Sequence, residues 1–251
     1  EPTSVAVKGD YALAAVNTSN DYIDVSGELS VIRISTNALI RNIDLGGQPD
    51  SIAVSPDGTY AMVVIENERD EDLDDGTPPQ LPAGKLVIVN LMGEPEDWST
   101  QNVNLTDIAD LYSADPEPEY VDINTDNIAV VTLQENNHIV LVDLETASIT
   151  AEFSAGTVDL ELIDTDEEDS ALITLSHNQD QIPREPDGVS WINTEYFATA
   201  DEGDLDGGSR GFTIFDTQGS IAYSSGNRLD HLAAQYGHYP DGRSGNKGNE
   251  P

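Results

Sequence analysis

The sequence predicts an all-β chain built as a β-propeller, and three observations carry that prediction. Short apolar runs alternate with turn residues along most of the chain, with helical periodicity confined to short stretches. Pro118 to Phe153 packs four such runs into about forty residues, the length of one propeller blade. Variants of that unit recur, each opening on a proline followed by a strand: Pro2-Thr3-Ser4-Val5, Pro49-Asp50-Ser51-Ile52, Pro118-Glu119-Tyr120-Val121 and Pro186-Asp187-Gly188-Val189.

The opening prolines are 47, 69 and 68 residues apart, and Pro251 follows 65 residues after the fourth. The unit is constant and its loops vary. Four units cover too little of a circle to close it. Residues 1–251 therefore read as an incomplete propeller, four blades of a seven-bladed ring, with a fifth unit beginning at the last proline. A β-sandwich with long loops is the alternative.

The blade units run about 2–46, 49–105, 118–175 and 186–225, with 226–251 as helix and loop leading onward. In the first, strands are expected at Ser4 to Val7, Tyr11 to Val16, Leu29 to Ile34 and Ala38 to Leu45. In the second, Ile52 to Val54 meets the tight turn Ser55-Pro56-Asp57-Gly58, and Tyr60 to Ile65 pairs with Lys85 to Leu91. The loop Glu66 to Gly84 between them is too polar to be core. A short helix is expected over Asp107 to Tyr112. In the third unit, Ile128 to Leu133, His138 to Val142 and Ile149 to Phe153 are strands. Leu160 to Ile163 and Ala171 to Leu175 then flank the acidic Asp164 to Asp169 as an extra hairpin or a displaced outer strand. The fourth unit runs Gly188 to Ile192, Tyr196 to Ala200, Gly211 to Phe215 and Ser220 to Tyr223. Leu229, Leu232, Ala233 and Tyr236 share a helical face, so Arg228 to Tyr236 is a helix ended by Gly237.

Charge limits the partners. The 251 residues carry 48 acidic and 10 basic side chains, a net of −38, with lysine only at 8, 85 and 247. Such a chain repels nucleic acid and anionic lipid. The apolar alternation argues against disorder as the cause. A salt-rich, halophilic setting accounts for it, since the screening length falls from ~8 Å at physiological ionic strength to ~3 Å at 1 M. Carboxylates that hold divalent cations are a second, compatible cause. There is no cysteine, no apolar run long enough to span a membrane, and no visible signal peptide.

In a propeller the second-strand ends and the blade openings gather at one end of the central channel. Here they supply Asn17 and Asn20; Glu66, Asn67 and Glu68; Gln134, Glu135 and Asn136; Asp201 and Glu202; and, from the openings, Asp50, Glu119, Glu185 and Asp187. Hard oxygen donors without cysteine and with few histidines suit Ca²⁺ or Mg²⁺. The metal candidates are Asp201, Glu202, Asp204, Glu135, Glu68 and Asp187. The candidates for binding an anionic ligand are Arg210, Asn67, Asn136, Glu185 and Lys247. A solvated acidic rim is the plainer reading of the same residues.

Two runs, Asp70 to Gly76 and Asp201 to Gly207, have the alternating acids of a calcium loop without its glycine and closing glutamate. Gly207-Gly208-Ser209-Arg210-Gly211 matches the esterase elbow in letters, but it precedes a strand where the elbow needs a helix. Arg184, Arg210, Arg228, Arg243 and Lys247 crowd the last seventy residues, either as a phosphate cluster or as ordinary ion pairs. His138 and His231 read as structural, and His177 and His238 fall in loops.

The Ser55 to Gly58 turn and the Val131 to Leu144 unit resemble YVTN-type propeller repeats. Glu185 to Val189, Thr199 to Asp204 and Arg243 to Pro251 are more specific. Together they resemble the secreted bacterial choice-of-anchor I group, which is related to phytase-like esterase domains sometimes labelled alkaline phosphatase. The resemblance implies a secreted, periplasmic or surface-anchored seven-bladed propeller whose channel is lined by the Glu-Pro-Asp-Gly and Asp-Glu-Gly-Asp stretches. The leading expectation is a Ca²⁺-assisted binding propeller. A metal-dependent phosphoesterase is the alternative, with Asp201, Glu202 and Glu135 on the metal and Arg210 on phosphate. A structural repeat module is the third possibility.

Overall fold

In the computed structural model, residues 1–73, 76–167, 172–203, 205, 209–245 and 248 are described. Four antiparallel sheets follow one another, each a four-stranded meander in strict chain order. The first is β1 (Pro2–Lys8), β2 (Tyr11–Asn17), β3 (Gly27–Arg33) and β4 (Ala38–Asp44). The second is β5 (Pro49–Val54), β6 (Tyr60–Ile65), β7 (Lys85–Asn90) and β8 (Ser99–Asn104). The third is β9 (Pro118–Ile123), β10 (Ile128–Leu133), β11 (His138–Asp143) and β12 (Ser148–Ser154). A two-stranded hairpin, β13 (Thr157–Ile163) and β14 (His177–Pro183), precedes the fourth sheet. That sheet is β15 (Pro186–Trp191), β16 (Tyr196–Asp201), β17 (Gly211–Asp216) and β18 (Ile221–Ser224), and α1 (Arg228–Tyr236) follows it.

The sheets are blades about an axis, as the packing shows. The first strands of successive sheets lie side by side, β1 with β5, β5 with β9 and β9 with β15. Each apolar cluster belongs to one blade-to-blade interface. Leu13, Leu29 and Val31 of the first blade meet Ala61, Val63 and Ile65 of the second. The alternate residues of β6, Met62 and Val64, face Val121, Ala129 and Val131 of the third blade. Val130 on the opposite face of β10 joins Phe197 and Phe215 of the fourth. A strand buried on both faces is apolar nearly throughout, which is why Tyr60–Ile65 and Ile128–Leu133 read as near-continuous runs, broken only by Thr132, whose hydroxyl is hydrogen-bonded. Two face-to-face layers are thereby excluded.

One irregularity repeats in all four blades. The opening proline pairs with the end of the second strand, Pro2 with Val16, Pro49 with Ile65, Pro118 with Leu133 and Pro186 with Asp201, and the register shifts immediately inward of it. Proline has no N–H for the ladder, and a bulge here turns the next residue out of the pairing.

Two sequence expectations are corrected. Asp107 to Tyr112 is a set of turns, because Asp107 and Tyr112 take the left-handed backbone (φ 67° and 50°) that ends helices. The second strand of the acidic hairpin is His177–Pro183, and residues 172–175 are irregular. The third sheet ends at Ser154, its last strand where Ile149 to Phe153 was expected. The helix Arg228–Tyr236 forms as expected and stops at Gly237, whose φ of 75° supplies the left-handed cap.

Candidate functional site

The bulges single out one repeat position. In the second, third and fourth blades the residue after the opening proline is Asp50, Glu119 and Asp187, and in the first it is Thr3. Their backbones are tied from blade to blade. Ser51 Oγ donates to the Glu119 carbonyl at 2.6 Å, and Thr132 Oγ1 donates to the Asp187 carbonyl at 2.6 Å. The three carboxylates are half-buried, and Glu66, just beyond β6, lies among them.

Electrostatics confirm the crowding. Burial raises Glu119 well above the ordinary carboxylate range, and Glu135, Glu66, Asp187 and Asp50 add repulsion. Glu66 is raised likewise by burial and by Asp50, Glu135, Glu117 and Glu68. Asp50 is raised to about 6 by burial, with Asp187 and Glu68 contributing. Five acids from three blades, Asp50, Glu66, Glu119, Glu135 and Asp187, thus sense one another.

Below them sits an ion pair that the sequence reading passed over. Arg69, buried inside the polar loop after β6, reaches the third blade and donates from Nη1 to Glu135 at 2.6 Å and to Glu117 at 2.9 Å. Burial works against its charge, but Glu135 and Glu117 outweigh that and hold it above the usual arginine value. Glu117 is still raised to about 8, chiefly by burial and then by Glu135, with Arg69 opposing. Arg69 is the one basic residue between Glu66 and Gly84, and that isolation was its only signal.

The other sequence candidates have hydrogen-bond and ion partners of their own. Asp201 is buried and raised to about 6, mainly by burial; Thr199 and Thr213 donate to it at 2.8 and 2.6 Å and Arg184 stands 3.8 Å away. Glu202 accepts from Gln134 at 3.1 Å, and exposed Glu68 accepts from Gln48 at 2.9 Å. Asn67 and Asn136 serve the backbone in matching ways. Asn67 Oδ1 accepts from Gln48 N at 2.8 Å while its amide nitrogen donates to Pro82 and Ala83. Asn136 Oδ1 accepts from Glu117 N at 2.9 Å while its nitrogen donates to Leu111 and Asp115. Each amide brackets the residue before a blade-opening proline. Glu185 is buried, its N–H held by Asn137 at 3.0 Å.

Arg210 is enclosed, 1% exposed, with Asp230 at 3.5 Å and the carbonyls of Asp164 and Ser244 at 3.3 and 3.0 Å. Its charge is directed into the protein, against the C-terminal segment. Ser209 is buried as well. Asp204 and Lys247 lie outside the described residues, as do parts of both acidic runs.

A second group lies at the neck of the β13–β14 hairpin. Asp164, Asp166 and His177 each bring one ligand atom within 4.8 Å of the other two, among the described residues the one such group of three, and it can hold a metal ion. The sequence reading placed His177 in an uninformative loop. No spacing motif marks ligands separated by an irregular connection.

A family model described as choice-of-anchor I domain matches residues 1–207. No curated protein matches the chain. Among solved structures the chain is similar to a protein from Lactobacillus plantarum, at a TM-score of 0.55 and 13% identity over 90% of this chain and 55% of that one. It is similar to the Kuenenia stuttgartiensis hydrazine synthase at 0.54 and 11%, over 86% and 58%. It is also similar to U3-55K at 0.52 and 8%, over 86% and 48%. At these identities the likeness is one of fold, and the chain spans roughly half the length of those relatives.

Proposed function

We propose a function from one premise: the chain belongs to the choice-of-anchor I domain family. On that premise it is the binding propeller of a secreted or surface-attached protein, and it takes up a divalent cation, Ca²⁺ first, at the acidic mouth of its channel. The observation that carries this reading is the bulge series. Three successive blades present Asp50, Glu119 and Asp187 at one repeat position, with Glu66 and Glu135 alongside. Gathering carboxylates in a half-buried channel is costly unless a cation compensates them.

Calcium suits this mouth because it takes many oxygen ligands in loose geometry and keeps water among them. The channel acids are spread more widely than the hairpin group, so the ion would be held partly through water. Its remaining positions are open to the oxygens of an anionic ligand, which an acidic protein could not otherwise attract. Enclosed Arg210 offers no phosphate clamp, and no catalytic step is built here.

The reading extends to the ring. Val5 and Val7 on the first blade are 64% and 59% exposed, and Ala198, Ala200, Phe212 and Ile214 on the fourth are half-buried on its outward face. We propose that further blades of the same protein cover both faces and close a seven-bladed ring.

Calorimetry with Ca²⁺ on the wild type and on a Glu119→Gln/Asp187→Asn variant tests the site. Binding accompanied by proton release is expected, since raised carboxylates must deprotonate to ligate, with at least a tenfold loss in the variant. Absence of any Ca²⁺ heat or melting shift in the wild type sinks the proposal.

A further inference from the structure

The hairpin neck differs from the channel in donors and in surroundings. Asp164 directly follows β13, and His177 opens β14 opposite Ile163. Asp164 is fully buried, while the Asp166 and His177 side chains remain accessible. His177 Nε2 stands 3.8 Å from Asp166 Oδ2. Asp164 is oriented from behind, accepting from Thr174 N at 2.6 Å and from Asp166 N at 3.1 Å on its two oxygens. Thr165 engages His177 Nδ1, its N–H donating at 3.4 Å and its Oγ1 lying 3.1 Å away, so Nε2 is the ring nitrogen turned toward the Asp166 carboxylate and toward a metal.

The C-terminal segment meets the same neck through Ser244. Ser244 Oγ donates to the Asp166 carbonyl (3.1 Å) or to the Asp241 carbonyl (2.9 Å). Asp241 is 7% exposed, and its Oδ1 has no hydrogen-bond partner.

We propose that Asp164, Asp166 and His177 bind a first-row transition ion, Zn²⁺ first, which clips the neck of the hairpin and fixes the platform on which the C-terminal segment docks. The donor set selects the metal. One imidazole nitrogen with two carboxylates suits zinc, cobalt or nickel, whereas calcium takes oxygens. Three protein ligands leave a coordination position for water.

The consequence for the C-terminal segment follows from what the neck's backbone holds. The Asp164 carbonyl accepts from Tyr239 Oη at 2.7 Å and from Arg210 at 3.3 Å, and the Leu162 carbonyl lies 2.8 Å from His231 Nε2. An ion joining Asp164 to His177 closes the connection between the strands and holds those carbonyls in place.

The test titrates the whole chain with Co²⁺, read by visible absorption, and with Zn²⁺, read by calorimetry, for wild type, His177→Ala and Asp166→Asn. Hydrogen exchange over residues 228–245 is followed with and without Zn²⁺. One ion per chain is expected, with tenfold or greater loss in either variant, and Zn²⁺ slows exchange over 228–245 in the wild type alone. Asp166 is exposed, so its variant keeps the fold and the test if His177→Ala does not. No uptake of Zn²⁺ or Co²⁺ by the wild type overturns the proposal. So does uptake that survives both variants, or that disappears in Glu119→Gln/Asp187→Asn, since the ion would then sit in the channel. The two sites fail separately.

Discussion

The second and third blades and the first and fourth are built from one unit, yet their strands differ. Every residue of β6 after Tyr60 and of β10 after Ile128 is buried, whereas β2 and β17 alternate buried with half-buried positions. The inner pair have neighbours on both sides; the outer pair have one each within the chain. Position in the ring, more than strand identity, sets which residues must be apolar. The inner blades also hold the Glu117–Arg69–Glu135 cluster, where second-strand ends and blade openings come from both sides.

Removing the central cation should break this contrast most strongly. Arg69→Met strands Glu117 and Glu135 in the interior and should cost about 3–5 kcal/mol in urea unfolding. Arg33→Met in the first blade, where the guanidinium meets Tyr11 at the surface, should cost less than about 1 kcal/mol. Comparable losses would mean that the inner blades are not the stability centre. Next comes core truncation. Leu133→Ala, fully buried between blades two and three, should cost about 2–5 kcal/mol, against less than about 0.5 kcal/mol for exposed Val7→Ala. A large effect at Val7 would show that the outer face is covered in solution.

The most gradual effect sharpens the electrostatic half. Glu117 rises from an ordinary 4.5 to about 8 on folding, so its contribution to stability is complete below pH 4.5 and is lost as pH climbs through 8. The metal-free protein should therefore lose up to about 1.4 kcal/mol per pH unit from this proton across that window. Glu117→Gln should flatten the slope, as read from urea midpoints at pH 5 and pH 8. A metal-free wild type that gains stability over the window contradicts the assignment.

The blade openings were legible because the repeat is. Asp50, Glu119 and Asp187 follow prolines at matched positions, and a repeat carries its geometry with it. Asn67 and Asn136 were legible as special positions but not in role, since an amide that could meet a ligand can equally hold two strands of backbone. Arg210 misled for a related reason. A guanidinium among acids looks like a ligand clamp until its partner, Asp230, comes from a helix some twenty residues on. Arg69 and His177 were hidden by their settings, an acidic loop and an irregular connection, where no periodicity says which side chain turns inward.

The paired asparagines have a consequence for how such a protein can change. With Asn67 fastening Gln48 to Pro82 and Ala83, the long excursion between β6 and β7 leaves and returns through a stapled neck. The rim of the channel can then be rewritten there, lengthened or recharged, while the sheets beneath keep their alignment.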